Sequence, residues 1–377
     1  MVWIGQGQVY LVTGGCGFLG RHLVEMLVER GGNISEVRVF DLHLDESMRQ
    51  LGTDRVKVKL IKGDIIDAAQ VNAAVQGADV VIHTASLVDV WDKVPATMIE
   101  AVNVKASLCL LEAALKVGTL FDLYTCIYIC VGVHSCLFFS SLYRGNEDTL
   151  YNIHHDKPYP RSKAKAEELV IKANGRQIVV GKKLYTCALR PTGIYGENHE
   201  LMKKFYQQGL RMGRCLVRAI PLATEHGRVY VGNVAWMHLL AAQALQEKPS
   251  ALGGQIYFCY DESPYRSYDD FNMEFLASCG FRMIGSRPVV PYFLLYLIAV
   301  INEVLQSLLR PFCTYSPLMN KYTLAVATTT FTVNTDKAER HFGYRPLYTW
   351  EESKRRTIGW LRALDAEYRK NSTQSSQ

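Results

Sequence analysis

Gln8-Val9-Tyr10-Leu11-Val12-Thr13, followed by Gly14-Gly15-Cys16-Gly17-Phe18-Leu19-Gly20 and then Arg21-His22-Leu23-Val24-Glu25-Met26-Leu27, is the stretch that decides the fold. The first six residues form a short apolar run rich in β-branched and aromatic side chains, the pattern of a buried strand. The glycines break that run, and the third stretch restores apolar residues at helical spacing. Strand, glycine turn and helix in this order build a site for the pyrophosphate of a dinucleotide. Gly14 permits the tight turn, Gly17 lets the backbone approach the phosphates, and Gly20 lets the helix lie against the strand. Gly15, Phe18 and Leu19 complete the loop, at the positive end of the helix dipole.

Glycine spacing alone is a weak signal. It gains weight from a second strand at 37–40, which ends in Asp41, 21 residues beyond Gly20. A carboxylate there accepts from ribose hydroxyls and repels a 2′-phosphate, and no Arg or Lys follows until Arg49. NAD is therefore expected rather than NADP. A strand at 56–61 leads to Asp64 and Ile65, placed for the adenine. Another at 80–83 leads to Thr84 and Ala85, where the pyrophosphate passes. Strands alternating with helical runs predict an α/β fold, a Rossmann-type doubly wound parallel sheet. Its ligand belongs at the carboxyl ends of the strands.

Composition sets the outer bounds. At 377 residues, 49% apolar and 21% charged, the chain is no disordered segment and suits a large α/β domain with a smaller C-terminal lobe. We expect an NAD-binding domain over 1–195, strands near 229–231 and 255–259 that return to its core, and a substrate lobe over 196–377. The ten cysteines show no CxxC pair and the ten histidines no metal-ligand spacing, so no bound metal is expected. The 42 Lys and Arg against 36 Asp and Glu are spread along the chain, which argues against a nucleic-acid partner. The first strand starts near residue 8 with no leader pattern before it, so reduced thiols and a cytosol-facing domain are expected.

Two stretches are apolar enough to raise membrane lipid as a partner: 123–142 and 289–309. A spanning helix needs about 20 predominantly apolar residues. The second stretch is barely long enough, and Glu303 would be costly at mid-bilayer. Spanning, lying on the surface and packing beneath the lobe all stay open for it.

Tyr159-Pro160-Arg161-Ser162-Lys163 opens a helical run that ends at Asn174-Gly175. Four residues along a helix place Tyr159 and Lys163 on one face. A phenol with a pKa of about 10 is a poor base at neutral pH. A neighbouring ammonium group stabilises the phenolate, which can then take the proton of a secondary alcohol while hydride leaves for a nicotinamide. Lys163 would also hold the nicotinamide ribose. Alone the pair means little; some 140 residues after a dinucleotide loop, it is a candidate catalytic pair.

The glycine loop, Asp41 and the Tyr159/Lys163 pair resemble an extended short-chain dehydrogenase/reductase. Two further runs narrow the likeness: Arg190-Pro191-Thr192-Gly193-Ile194-Tyr195-Gly196, and Gly227-Arg228-Val229-Tyr230-Val231-Gly232-Asn233-Val234-Ala235-Trp236-Met237-His238. They are similar to those of the 3β-hydroxysteroid dehydrogenase/Δ5–4 isomerases, nearest to the branch that acts on C27 sterols. The resemblance implies NAD-dependent oxidation of the 3β-hydroxyl of a 7α-hydroxycholesterol-type sterol, then a Δ5 to Δ4 shift, in bile acid or steroid biosynthesis. It also implies Pro191 beside the cofactor and an endoplasmic reticulum membrane location. A sugar-nucleotide epimerase or dehydratase of the same class, which should lack the apolar 289–309 stretch, is the alternative. So is a catalytically impaired NAD-binding paralogue.

One block departs from the family. Where its fifth strand carries a serine that hydrogen-bonds the reacting oxygen, this chain has Cys126 and Ile127. Segment 123–142 is open to three readings: a translated non-coding or misspliced stretch, a divergent segment using Thr125, Ser140 or Ser141, or the mark of an inactive paralogue. Losing one oriented donor at a developing oxyanion costs about 10² to 10³ in rate. No residue is assigned the serine's role.

Overall fold

The computed structural model describes residues 7–119, 121–125, 141–149, 157–179, 181–313 and 315–374. From the N-terminus, β1 (Gln8–Thr13) turns through the glycines into α1 (Phe18–Arg30), and β2 (Ile34–Asp41) and β3 (Lys57–Lys62) follow. Then come α2 (Ala68–Val75) and β4 (Val80–His83). The Asp67 carboxylate caps α2 by accepting from the backbone N–H groups of Ala69 and Gln70. Next, α3 (Ala96–Glu100) and α4 (Ala106–Val117) join through a π-helical turn at Ala101–Lys105. After them stand β5 (Phe121–Thr125), β6 (Leu142–Gly145), α5 (Pro158–Ala173), β7 (Tyr185–Pro191) and β8 (Gly193–Tyr195).

The second half alternates between lobe and sheet. It comprises α6 (Glu200–Arg211), β9 (Cys215–Val217), β10 (Arg228–Tyr230), α7 (Val231–Glu247), α8 (Pro249–Leu252) and β11 (Ile256–Cys259). The C-terminal part holds α9 (Tyr268–Leu276), β12 (Arg282–Ile284), α10 (Tyr292–Leu309), α11 (Lys321–Thr328), β13 (Phe331–Val333), α12 (Lys337–Phe342) and α13 (Trp350–Gln374).

Seven strands form one all-parallel sheet in the order β3-β2-β1-β4-β5-β7-β11. The doubly wound sheet expected from the sequence is thus present. Its central strands β1 and β4 read as apolar runs because both faces are covered: every residue of β4 is buried. On one face α1 packs against α7, with Leu23, Leu27, Ala241 and Leu245 fully buried between them. On the other, α5 covers β7 through Ala166 and Val170. Each large apolar side chain so buried contributes about 1.5–3 kcal/mol.

Chain order reverses between β1 and β4. Two strands step outward from β1 on one side and the rest build on the other, which opens a crevice above the carboxyl ends of β1 and β4. The strand expected at 255–259 forms as β11 on the edge beside β7. The one expected at 229–231 forms at Arg228–Tyr230 but leaves the main sheet and pairs with β8, Arg228 opposite Gly193. The β7–β11 ladder ends at Pro191 opposite Cys259, so β8 lies beyond it and is free for another partner.

The stretch around 289–309 forms α10, with mean hydropathy 1.7 over 18 residues and 11% of it buried. That exposure excludes a helix packed beneath the lobe. Leu295 and Ala299 face Leu324, while Phe293, Leu297, Ile301, Val304 and Leu308 are exposed. A polar edge ties the helix down. Asn302 Nδ2 donates to Met319 O at 2.8 Å, Gln306 Nε2 to Trp91 O at 2.7 Å, and Lys321 pairs with Glu303 at 2.9 Å. In the other apolar stretch, Leu123 and Thr125 belong to β5, in the sheet between β4 and β7. Cys126, Ile127 and Ser140 lie outside the described residues, and Ser141 is exposed just ahead of β6.

Candidate active site

The glycine loop closes on itself at the switch point. Gly14 N–H donates to Phe40 O at 2.8 Å and Gly17 N–H to Gly14 O at 3.0 Å. Gly14 has φ +68°, a left-handed conformation that glycine adopts without strain. A β-carbon on Gly20 would lie 2.1 Å from Gly14 O, and one on Gly14 would lie 2.8 Å from Ala85 Cα. The close approaches demanded of these glycines are therefore real. Gly17 caps α1 with no side-chain bond, and the first turn of the helix carries no acid. Phe18, Leu19 and Gly20 thus stand at a positive helix end with no carboxylate spent on it.

The other residues singled out from the sequence are placed as follows. Asp41, at the tip of β2, accepts from Cys16 N–H at 3.0 Å, which holds the carboxylate beside the loop. The arginines nearest in sequence are matched by acids: Arg21 by Asp45 and Arg49 by Glu46, each at 2.6 Å. Thr84 Oγ1 donates to Thr13 O at 2.7 Å, pinning the end of β4 to the end of β1. Asp64 stands farther out, after β3; its Oδ1 accepts from Ile66 N–H, and the Ile65 side chain is buried among Val71 and Val75. Pro191 is buried at the end of β7. The cradle, the uncapped helix end and the Asp41 carboxylate beside the loop fit a dinucleotide.

Tyr159 and Lys163 lie on the first turns of α5, which Pro158 starts at a position where no N–H is needed. Both are buried, Tyr159 at 0% exposure and Lys163 at 2%. The phenol sits in a cluster with Val90, Ile99, Tyr322 and Val326, away from bulk water. Two devices hold the helix in this position. Ser162 Oγ donates to Tyr159 O at 2.7 Å and accepts from Asn103 Nδ2 at 2.9 Å. One turn beyond Lys163, Glu167 accepts two bonds from Arg190 of β7, at 2.7 and 2.6 Å, with both side chains buried. Such a fork fixes orientation as well as distance.

The charge of Lys163 is felt at His83, on the end of β4. Burial first and that cation second push the imidazole down to about 3, so it is neutral. Ser107 Oγ spends its proton on Asn103 O and so accepts from His83 Nε2 at 3.0 Å. His83 Nδ1 in turn accepts from Thr13 Oγ1 at 2.7 Å. A hydrogen-bonded chain thus runs from β1 through His83 and Ser107 to Asn103, and from there to α5.

Sequence reasoning missed Asn103, which sits in the π-helical turn and also exchanges bonds with the Leu87 backbone. A π turn inside an α-helix is frequent at functional sites. The one signal was a lone amide between Val102 and Val104. The aromatic wall of Trp91, Tyr268 and Tyr322 was also missed, because these residues come together from three distant segments. Among the described residues no group of three His, Cys, Asp or Glu is placed to hold a metal ion.

Residues 11–288 match the model of the 3-beta hydroxysteroid dehydrogenase/isomerase family. The chain is 57% identical to a human protein, "3 beta-hydroxysteroid dehydrogenase type 7", over 95% of its own length and 96% of that protein's. The mouse protein of the same name is 55% identical over 96% of this chain and 97% of its own. Among solved structures, a Streptomyces venezuelae dTDP-glucose 4,6-dehydratase (DesIV) with NAD and TYD bound superimposes with TM-score 0.68. At 19% identity over 94% of this chain and 97% of that one, the likeness is one of fold.

Proposed function

The chain belongs to the 3-beta hydroxysteroid dehydrogenase/isomerase family, and from that premise we propose that it oxidises the 3β-hydroxyl of a Δ5 sterol with NAD and then shifts the double bond to Δ4. A 7α-hydroxylated C27 sterol of bile acid synthesis is the substrate we favour from the sequence resemblance; the names of the mammalian relatives support a 3β-hydroxysteroid. The observation that carries the reading is the burial of Tyr159 and Lys163 on one face of α5, beside the crevice that holds the glycine loop.

The chemistry a bound NAD would supply is a hydride acceptor for the carbinol carbon. Residues 14–20 and Asp41 would hold its pyrophosphate and adenosine ribose, Asp64 and Ile65 would flank the adenine, and Thr84, Ala85 and Pro191 would line its path. Tyr159 takes the hydroxyl proton, and the Lys163 cation stabilises the phenolate so formed. Lys163 would also hold the nicotinamide ribose. Arg190 and Glu167 keep the dyad's helix in register with β7. Most of the chain after 196 forms the sterol cover, with α7 and β11 returning to the dinucleotide half.

The exposed face of α10 supports a membrane partner. Its polar edge is tied to Met319, Trp91 and Lys321, so we read the helix as lying in the membrane interface rather than crossing it. An endoplasmic reticulum surface with the site toward the cytosol suits an insoluble sterol substrate.

The test is direct. The full chain with NAD and 7α-hydroxycholesterol should form NADH, followed by a conjugated 3-oxo-Δ4 product absorbing further to the red than an isolated ketone. NADH from a sugar nucleotide alone overturns the steroid reading. NAD binding without turnover of any sterol alcohol returns the paralogue alternative.

A further inference from the structure

The two-stranded ribbon β8–β10 carries a cluster of buried polar atoms that meet no hydrogen-bond partner. They are Thr192 Oγ1, His199 Nδ1, His226 Nδ1, and Nε and Nη2 of Arg228. Arg228 is 8% exposed. Its guanidinium lies 4.0 Å from the ring centroid of Tyr268 and 5.3 Å from that of Phe271, so aromatic faces hold the cation. They do not satisfy its N–H groups. Leaving two donors of a buried cation unspent is costly, and a fold keeps such a group only where something compensates it.

The two unspent nitrogens, Nε and Nη2, form one edge of the guanidinium fork. That edge matches two oxygens of a carboxylate or phosphate. Arg228 also lines a narrow cleft with Tyr195, His199, Phe205, Tyr268 and Asn272, none of them acidic. His199 stacks on Phe18 of the glycine loop at 5.0 Å, and Tyr268 packs in the cluster around Tyr159. The cleft therefore stands between the dinucleotide loop and the phenol. His199 and His226 are both held down to about 4, by burial first and by Arg228 second, so the arginine is the one cation of the cluster at neutral pH.

We propose that Arg228 is an oxyanion receptor at the junction of cofactor and substrate, binding a phosphate or carboxylate through the Nε–Nη2 edge of its guanidinium. The proposal rests on the reading of the crevice above as the dinucleotide site. The oxyanion has two candidate sources, the pyrophosphate of NAD and an acidic substituent on the sterol. Gly193 belongs to the same device: a β-carbon there would lie 2.6 Å from Arg228 Nη1, so only glycine leaves the guanidinium where it is.

The experiment compares wild type with Arg228→Met, which keeps the stem over Tyr268 and removes the charge. Direct binding of NAD and of ADP-ribose is measured by calorimetry, and KM for a neutral 3β-hydroxy-Δ5 sterol is set against that for one bearing a side-chain carboxylate. Loss of a hydrogen-bonded charge contact predicts about a 10- to 100-fold weakening in one arm. Weaker NAD and ADP-ribose binding assigns the pyrophosphate. A KM rise for the carboxylated sterol alone assigns the substrate. Equal values in both arms overturn the proposal, whatever the variant's stability. Should Arg228→Met fail to fold, Gly193→Ala and Arg228→Lys make the same comparison, with the lysine retaining part of the binding. Wild type that binds neither NAD nor ADP-ribose overturns the dinucleotide reading instead, a separate outcome.

Discussion

Asn103 Nδ2 donates to Ser162 Oγ at 2.9 Å, and through that bond the π-helical turn of one segment sets the position of the helix that carries Tyr159 and Lys163. Ser162 Oγ donates its own hydrogen bond to Tyr159 O, so the amide acts on the dyad's backbone rather than on its side chains. Asn103→Leu should cost about 1–3 kcal/mol in stability, since Ser162 and the Leu87 backbone lose a buried partner. A misplaced dyad should lower kcat by about 100-fold with KM for NAD little changed. An unaltered kcat in the folded variant would show that α5 is placed without it.

Tyr159→Phe removes the proton acceptor and leaves the ring in its apolar cluster. Turnover should fall by about 10² to 10⁴, with NAD affinity within a few-fold of wild type. Lys163→Met should damage both, because the same cation serves the phenolate and the cofactor ribose. Calorimetry alongside single-turnover NADH formation separates the two effects.

Gly20→Ala tests the cradle. With a β-carbon 2.1 Å from Gly14 O, α1 must move away from β1. NAD binding should be lost, and thermal unfolding should fall by several degrees, as expected for overpacking of about 1–3 kcal/mol. Retained NAD affinity would mean the phosphates bind elsewhere.

Four histidines set an acid limit on stability. Burial pushes His83 down to about 3 and His199, His226 and His238 to about 4, against 6.5 for an exposed imidazole. Above pH 6.5 they are neutral in both states and stability is level. As pH falls from 6.5 toward 4, the unfolded chain takes protons the folded chain refuses, so stability drops by about 1.4 kcal/mol per pH unit per histidine. Asp261 and Asp269, both raised by burial, offset this only near their own carboxylate range. Urea midpoints at pH 8, 6 and 5 should fall in that order, with a shallower slope in His238→Leu. A level profile from pH 6.5 to 5 would contradict the burial of these rings.

The exposed face of α10 should bind lipid. Leu297→Glu with Ile301→Glu changes side chains that the protein itself does not bury, so the fold should hold. Flotation with phosphatidylcholine vesicles should carry the wild type upward and leave the double variant at the bottom. Equal flotation would place the membrane contact elsewhere.

The sheet was legible because each strand is short, apolar and bounded by glycine or a polar turn, a signal local to a few residues. Strand ends moved by up to three positions, as at β2, where Ile34 and Asp41 extend the 37–40 core. The pairing of β10 with β8 could not be read: it depends on where the β7–β11 ladder stops, a contact between segments some 70 residues apart. The same holds for the Arg228 cleft. Arg228 stood in a run noted for its likeness to a family, yet nothing in the run says that two nitrogens of its side chain end buried and unspent.

By itself the chain's order of residues determined the parallel sheet, the glycine cradle with its acid at Asp41, and the spacing that puts Tyr159 and Lys163 on one helical face. Those are short-range matters of backbone freedom, side-chain period and local charge. Only the tertiary structure decided that Asn103 braces α5, that α10 shows its apolar side outward and that Arg228 lies against Tyr268 and Phe271. Each depends on which distant surfaces cover one another, and burial of that kind is a property of the packed molecule rather than of any stretch of it.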